Sequence, residues 1–363
     1  MTAFRDRLVE QIRQAGAPLS GGLAEAFAAV PRELFVPDGF QRRDGTPVRP
    51  GDPDFLELVY TDDVLVTKVA DGTPVSSSSQ PSLMAIMIAE LDLRPGSRVL
   101  EIGAGTGYNA ALMSYLGARV TSVDVQGDVA ANARAALDAA GVPGAVVLHG
   151  DGYAGAPGGR FDRVIVTVGV AGLSPHWLDQ LEPDGLAIVP VEHAGMHPVL
   201  AVPTPAAGGP VAATVVCLSG FMSAAGPLTA VHPHPAPAPA GTTVPFAEVA
   251  PARWDPPLDQ TAYRDLCYAA GVWHRCASYA SLRPDQTTLA LLDESRTGGA
   301  VIPPSGAVLA GGPDAERYAA DAAEVLDRWE RAGRPSIRGW TVTLDLAGDP
   351  AAPIWVPARW TPG

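Results

Sequence analysis

The stretch Val99-Leu-Glu-Ile-Gly-Ala-Gly-Thr-Gly-Tyr-Asn109 decides the fold. Its first four residues, Val99 to Ile102, have strand character. Glycines then alternate at positions 103, 105 and 107, and the residues after them have helical character. Glycines in such a turn let the backbone approach a ligand closely, and the N-terminus of the following helix presents free N–H groups beside it. The dinucleotide fingerprint G-x-G-x-x-G is not matched, because Tyr108 stands where its third glycine belongs.

Acidic residues end the first three strands that the pattern predicts. Glu101 precedes the glycine turn, Asp124 follows 21 residues after Gly103, and Asp151 ends the next strand-like run. In a doubly wound sheet these positions share the ligand-binding edge. The order E-x-G-x-G-x-G is typical of S-adenosylmethionine-dependent methyltransferases, with Asp124 suited to the two ribose hydroxyls and Asp151 to the adenine side.

Short apolar runs alternate with helical segments on both sides of this stretch. The alternation predicts parallel βαβ units, hence an α/β doubly wound seven-stranded sheet of the Rossmann-like methyltransferase type. The predicted strands are 98–102, 120–125, 145–148, 164–168 and 186–191, and the predicted helices between them are 107–116, 127–140 and 174–182.

Composition shifts divide the chain into four predicted segments. Residues 1–80 form a helical segment with substrate-side loops, 81–225 the cofactor domain, 226–258 a Pro-rich linker and 259–363 an added C-terminal α+β element. The last segment combines helix 259–272, strand 287–292, a helix opened by Pro313 and an alternating strand from Trp340 to Leu346. The two histidines of the linker do not make a metal site.

Charge and composition exclude several classes of protein. The 363 residues carry a formal charge of −14 with a pI near 4.8, which argues against binding to nucleic acid or to an anionic membrane. Three cysteines without metal-ligand spacing fit a reducing compartment, and no apolar run is long enough to span a membrane. We therefore expect a cytoplasmic protein without a metal. The sequence leaves its oligomeric state open.

Several motifs, in order, resemble the protein-L-isoaspartate O-methyltransferase family. They are Val30-Pro-Arg-Glu-Leu-Phe-Val-Pro37, Ser79-Gln-Pro81, Arg98 to Tyr108, Gly150-Asp-Gly152, Phe161-Asp-Arg-Val-Ile-Val-Thr167 and Leu178 to Val191. The resemblance covers roughly residues 20–195. It implies S-adenosylmethionine as cofactor, S-adenosylhomocysteine as product and a peptide aspartate or isoaspartate carboxylate as acceptor.

The resemblance also assigns site residues. Ser79 matches the family's active-site serine, while the preceding Thr and Ile of the family motif become Ser77 and Ser78; the alternative for this serine run is a flexible polar turn. The implied cofactor-binding residues are Ser78, Ser79, Glu101, Gly103, Gly105, Thr106, Gly107, Tyr108, Asn109, Asp124, Val125, Asp151, Gly152 and Thr167. The implied substrate-binding residues are Ser77, Ser79, Val168, Gly169 and Val170.

Two departures from the repair enzymes indicate a special acceptor. Thr167-Val-Gly-Val-Ala-Gly172 replaces an alanine-rich loop, and the long C-terminal part has no counterpart in the minimal repair enzyme. We expect segment 259–363 to recognise the peptide substrate, with a stabilising lid or a dimer contact as the alternative. Extended family members resemble enzymes that methylate one aspartate in a ribosomally made precursor peptide, macrocyclic precursors included, after which the ester closes to an aspartimide. The sequence therefore favours this role, with repair of isoaspartyl residues as the alternative.

Two further alternatives come from other classes. Asp255-Pro-Pro-Leu258 is similar to the D-P-P-Y loop of nucleic-acid amino-methylating enzymes, but Thr167–Gly172 holds the place that this loop requires. The second alternative is an inactive methyltransferase whose C-terminal half docks a peptide. Intact Ser79, Glu101, Asp124 and Asp151 speak against it, and cofactor binding together with turnover would discriminate.

Overall fold

The computed structural model describes residues 2–230, 245–283 and 286–363. The polyproline-like stretch 232–241, which the sequence predicts as the centre of the linker, lies outside the described residues together with its two histidines. The helices are α1 Thr2–Gln14, α2 Gly21–Ala29, α3 Phe55–Val59, α4 Pro81–Glu90, α5 Tyr108–Tyr115, α6 Gly127–Ala139, α7 Pro175–Asp179, α8 Gln260–Trp273 and α9 Ala315–Arg331.

The strands fall into three sheets. They are β1 Phe40–Gln41, β2 Pro47–Val48, β3 Leu65–Ala70, β4 Thr73–Ser78, β5 Arg98–Ile102, β6 Arg119–Asp124, β7 Ala145–His149, β8 Phe161–Val166, β9 Leu181–Pro190, β10 His197–Pro203, β11 Val211–Ser219, β12 Ala247–Ala250, β13 Ala277–Arg283, β14 Gln286–Leu292, β15 Gly299–Ile302, β16 Val308–Gly311, β17 Trp340–Asp349 and β18 Ala352–Pro362.

The central sheet confirms the predicted doubly wound architecture. Its order is β18-β17-β11-β10-β9-β8-β5-β6-β7, with β9, β8, β5, β6 and β7 mutually parallel. These are the five predicted strands, shifted by a few residues at their ends. The antiparallel strands β10 and β11 complete the seven-stranded core of the sheet. Continuous apolar strands are needed because helices or loops cover both faces.

Two apolar clusters enclose this sheet. On one side α1, α2, α4, α5 and α6 pack through a cluster that contains Phe27, Met84 and Met113. On the other side one continuous cluster joins Trp177 of α7 to Trp329 of α9. The C-terminal helices therefore share a core with the cofactor sheet. Among the described residues, no helix has the length and apolar character needed to cross a membrane.

The C-terminal segment is both a separate sheet and an extension of the central one. Strands β12 to β16 form an antiparallel sheet of order β12-β16-β15-β14-β13, against which α9 packs the apolar face that its spacing predicts. β17 then pairs with β11, in the register Val211↔Leu344, and β18 pairs with β17. The C-terminal strands thus extend the seven-stranded core, and β17 covers the edge that β11 would otherwise expose.

The serine run belongs to a small sheet and not to a turn. Ser76, Ser77 and Ser78 end β4, which pairs with β3 in a four-stranded sheet of order β2-β1-β3-β4. Only Ser79 lies beyond the strand. Gln126, just after β6, donates from Nε2 to the Val75 carbonyl at 2.8 Å. This contact fixes the small sheet beside the end of β6.

Candidate functional site

The glycine turn follows β5 in a conformation that other residues rarely adopt. Gly103 and Gly105 have φ of +95° and +51°. A Cβ on Gly103 would lie 2.8 Å from Thr167 Oγ1, and one on Gly105 would lie 2.9 Å from the Ser77 carbonyl oxygen. The turn is thus enclosed by the residue after β8 on one side and by β4 on the other, and both approaches require glycine.

Glu101 ends up inside the protein. Its carboxylate is fully buried and accepts hydrogen bonds from Asn109 Nδ2 at 2.7 Å and from Ser122 Oγ at 2.6 Å. Burial raises its pKa to about 7, although both hydrogen bonds favour the charged form. Glu101 therefore joins β5, α5 and β6, and it reaches a bound ligand only through the turn that it holds.

Asp124 occupies the end of β6 beside the turn. Its carboxylate accepts from the Gly105 amide at 3.1 Å and from the Gln126 amide at 2.9 Å, and burial raises its pKa. Each carboxylate oxygen keeps a second lone pair for a hydroxyl group. The neighbouring Val125 leaves 54% of its surface exposed, which provides an apolar wall for a flat ring.

Asp151 and Gly152 follow β7 on the same edge. Asp151 is exposed, and its Oδ1 accepts from the Tyr153 amide at 2.9 Å. The Gly152 carbonyl accepts from Trp177 Nε1 at 2.8 Å. Since β5, β6 and β7 are parallel neighbours, the three predicted acids lie at the same edge of the sheet, with Asp124 and Asp151 nearer its surface than Glu101.

Ser79 is positioned by a buried arginine that the sequence analysis did not single out. Arg32 is fully buried and donates to the Ser79 carbonyl at 3.1 Å and to the carbonyls of Val59, Thr61 and Asp63. Burial lowers its pKa to about 10. In the sequence, Arg32 is visible only as a member of the motif that begins at Val30.

The loop after β8 begins with partly exposed residues beside the glycine turn and continues into buried ones. Thr167 Oγ1 donates to the Gly103 carbonyl at 2.6 Å, and Val168 is half-buried against Gly103. Gly169 and Val170 are buried, and the Gly169 amide donates to the Met222 carbonyl at 2.8 Å. Of the predicted substrate-binding residues, Ser77, Ser79 and Val168 thus retain accessible surface, whereas Gly169 and Val170 are buried.

The residues at this edge fit S-adenosylmethionine. Two buried polar atoms near the turn, Ser78 Oγ and Asn109 Oδ1, have no hydrogen-bond partner among the described residues. The Tyr108 ring itself packs in the core against Phe35, so of this residue only the backbone faces the turn. The glycine turn leaves room for the amino-acid tail of this cofactor. The Asp124 carboxylate has free lone pairs for the ribose hydroxyls, and the exposed Val125 side chain suits the flat adenine ring.

The comparisons with known proteins agree with this site. A family model described as protein-L-isoaspartate(D-aspartate) O-methyltransferase matches residues 3–211. A protein-L-isoaspartate O-methyltransferase of Thermotoga maritima is 37% identical over 192 residues, which are 52% of this chain and 55% of the relative. The relative of that name from Methanopyrus kandleri is 36% identical over 192 residues, covering 52% of this chain and 76% of its own length. The match thus spans only about half the length of the first relative.

One solved structure, also named protein-L-isoaspartate O-methyltransferase, matches nearly the whole chain. It is 25% identical with a TM-score of 0.54, and the match covers 98% of this chain and 100% of that one. Since the family model covers more than half of the sequence, this chain belongs to the protein-L-isoaspartate O-methyltransferase family, whose methyl donor is S-adenosylmethionine.

Proposed function

We propose that this protein methylates a side-chain or isoaspartyl carboxylate of an aspartyl residue in a peptide. The observation that carries the proposal is the position of β4. It brings the Ser77 carbonyl against Gly105, while Arg32 holds the carbonyl of Ser79 next to it. The backbone that carries the Ser79 hydroxyl is therefore held beside the glycine turn, where an acceptor carboxylate would have to lie.

S-adenosylmethionine supplies an electrophilic methyl group when it is bound. An aspartyl carboxylate with a pKa near ~3.9 is already ionised at neutral pH, so the protein needs no general base. Its residues bind, orient and exclude water, which contributes several kcal/mol to such a displacement. In the proposed arrangement Asp124 accepts from the ribose hydroxyls, and Ser79 Oγ donates to the acceptor carboxylate.

An isoaspartyl residue is our first candidate acceptor. The curated relatives carry this residue in their names, and so does the solved structure that matches the C-terminal part. Because that match includes the C-terminal segment, the presence of this segment does not favour a special substrate over an isoaspartyl residue.

An ordinary aspartate of a constrained precursor peptide is the second candidate. The observation in its favour is the loop Thr167–Gly172, where a glycine backed by a histidine replaces the alanine-rich sequence of the repair enzymes. A preorganised cyclic peptide would lose less conformational entropy on binding than a linear one.

The test compares three synthetic peptides of one sequence: an isoaspartyl hexapeptide, its ordinary aspartyl form and a cyclised aspartyl form. Formation of S-adenosylhomocysteine gives kcat/KM for each. We expect the isoaspartyl peptide to be used best. A preference for the cyclic peptide would establish the second candidate, and no turnover with any of the three, by a protein that binds S-adenosylmethionine, would contradict carboxyl methylation.

A further inference from the structure

His197 lies at the cofactor edge of the sheet, although nothing in the sequence draws attention to it. It is the first residue of β10, which runs antiparallel to β9, so it lies where β9 ends. β9 is parallel to β8, and β8 to β5, which precedes the glycine turn. His197 therefore shares the edge occupied by Gly103, Asp124 and Thr167.

The imidazole occupies the space that a side chain at position 169 would need. A Cβ built on Gly169 would lie 2.2 Å from His197 Nε2. The backbone of Gly169 cannot retreat easily, because its amide donates to Met222 and its carbonyl accepts from Ala224, both at 2.8 Å. Gly169 is only two residues, about 7 Å of extended chain, beyond Thr167, whose hydroxyl contacts Gly103.

The hydrogen bonds of His197 define which nitrogen carries the proton. Nδ1 accepts from the Phe221 amide at 3.2 Å, so the neutral ring is protonated at Nε2. Burial lowers the pKa of His197 to about 4, and the ring is neutral at physiological pH. Among the described residues Nε2 has no hydrogen-bond partner, and it is not one of the fully buried unpaired atoms, so this N–H keeps some accessible surface at which a ligand could accept from it.

We propose that His197 binds the acceptor peptide, with Nε2–H donating to a main-chain carbonyl next to the methylated residue. This inference rests on the proposed function and adds a specificity-determining contact to it. Because the His197 ring is neutral, its Nε2–H is suited to an uncharged acceptor such as a main-chain carbonyl. Gly169 lies about 7 Å of extended chain beyond Thr167, which contacts the glycine turn, and the absence of a side chain at position 169 lets the ring lie at this edge of the sheet.

Two substitutions separate the two nitrogens of the ring. In His197→Asn the amide oxygen can replace Nδ1 as acceptor for Phe221, but nothing replaces Nε2. In His197→Gln the amide nitrogen can replace Nε2 as donor. We expect His197→Asn to raise KM for the isoaspartyl hexapeptide about tenfold with kcat and cofactor affinity nearly unchanged, because a contact present throughout the reaction changes binding alone. His197→Gln should restore most of the affinity.

The controls keep this inference separate from the proposed function. If the wild-type protein does not methylate the peptide, the proposed function fails. If it does and KM is unchanged in a folded His197→Asn protein, the histidine contact alone is wrong. Equal losses in both variants, with kcat and cofactor affinity falling together, would indicate a purely structural ring. Hexapeptides with one flanking carbonyl reduced to methylene give a second readout with unmutated enzyme: one of them should bind about tenfold more weakly.

Discussion

Asp124 is the residue whose environment is most specific for the cofactor. Its carboxylate already accepts two backbone amides of the site, and the ribose hydroxyls would use its remaining lone pairs. We predict that Asp124→Ala weakens S-adenosylmethionine binding by ~1–3 kcal/mol, measured by calorimetry. Asp128→Ala is the matched control, since Asp128 is exposed and forms an ion pair with Lys68 at the surface. Unchanged affinity in a folded Asp124→Ala protein would place the ribose elsewhere.

The sequence predicted those site residues that a single turn, or the ends of neighbouring strands, bring together. The glycines, Asp124 and Asp151 could be predicted because a turn and the ends of adjacent strands bring them together whatever surrounds them. Arg32 and His197 could not, because their roles depend on contacts across the fold. Arg32 reaches the Ser79 carbonyl 47 positions away, and His197 backs a glycine in another loop.

Glu101 shows how one buried group couples three elements. It accepts from Asn109 of α5 and from Ser122 of β6 while it belongs to β5. Its pKa is about 7 in the folded protein and near 4.5 when exposed, so between these values the folded chain holds a proton that the unfolded chain has lost. The free energy of unfolding should therefore fall as pH rises through this window, by at most about 3 kcal/mol.

We predict that Glu101→Gln removes this decline. Denaturant unfolding of the cofactor-free protein at pH 5 and pH 8 should show the wild type losing more stability between the two values than the variant does. Glu248→Gln, on an exposed strand of another sheet, is the control for a general loss of charge. Parallel pH profiles for the wild type and Glu101→Gln would mean that Glu101 is ionised in the folded protein well below neutral pH.

The elements themselves were predictable where their periodicity is strong. Strands β5 to β9 and the buried face of α9 follow directly from apolar runs and helical spacing. The serine run has no apolar signal, and its strand exists because β3 pairs with it and Gln126 fixes it. Tertiary pairing, which no local pattern reveals, makes this polar stretch a strand that packs against the glycine turn.

At the scale of the whole molecule, the C-terminal strands return to the central sheet. β17 and β18 extend the sheet at β11, and Trp355 of β18 exchanges two backbone hydrogen bonds with Leu173 just after the loop Thr167–Gly172. The C-terminal segment thus contacts the chain next to this loop directly. Its role in recognising a peptide stays a prediction. The sequence could not show that β17 pairs with β11, because the two strands are more than a hundred residues apart.

The most direct test of carboxyl methylation is the chemical nature of the product. The protein is incubated with S-adenosylmethionine labelled in its methyl group and the isoaspartyl hexapeptide, and the labelled peptide is located by fragmentation and then treated with mild alkali. We predict one methyl group on the isoaspartyl carboxylate, released as methanol by the alkali, and formed far more slowly by Ser79→Ala although that variant still binds the cofactor. An alkali-stable methyl group, or label on any nitrogen of the peptide, would contradict the account.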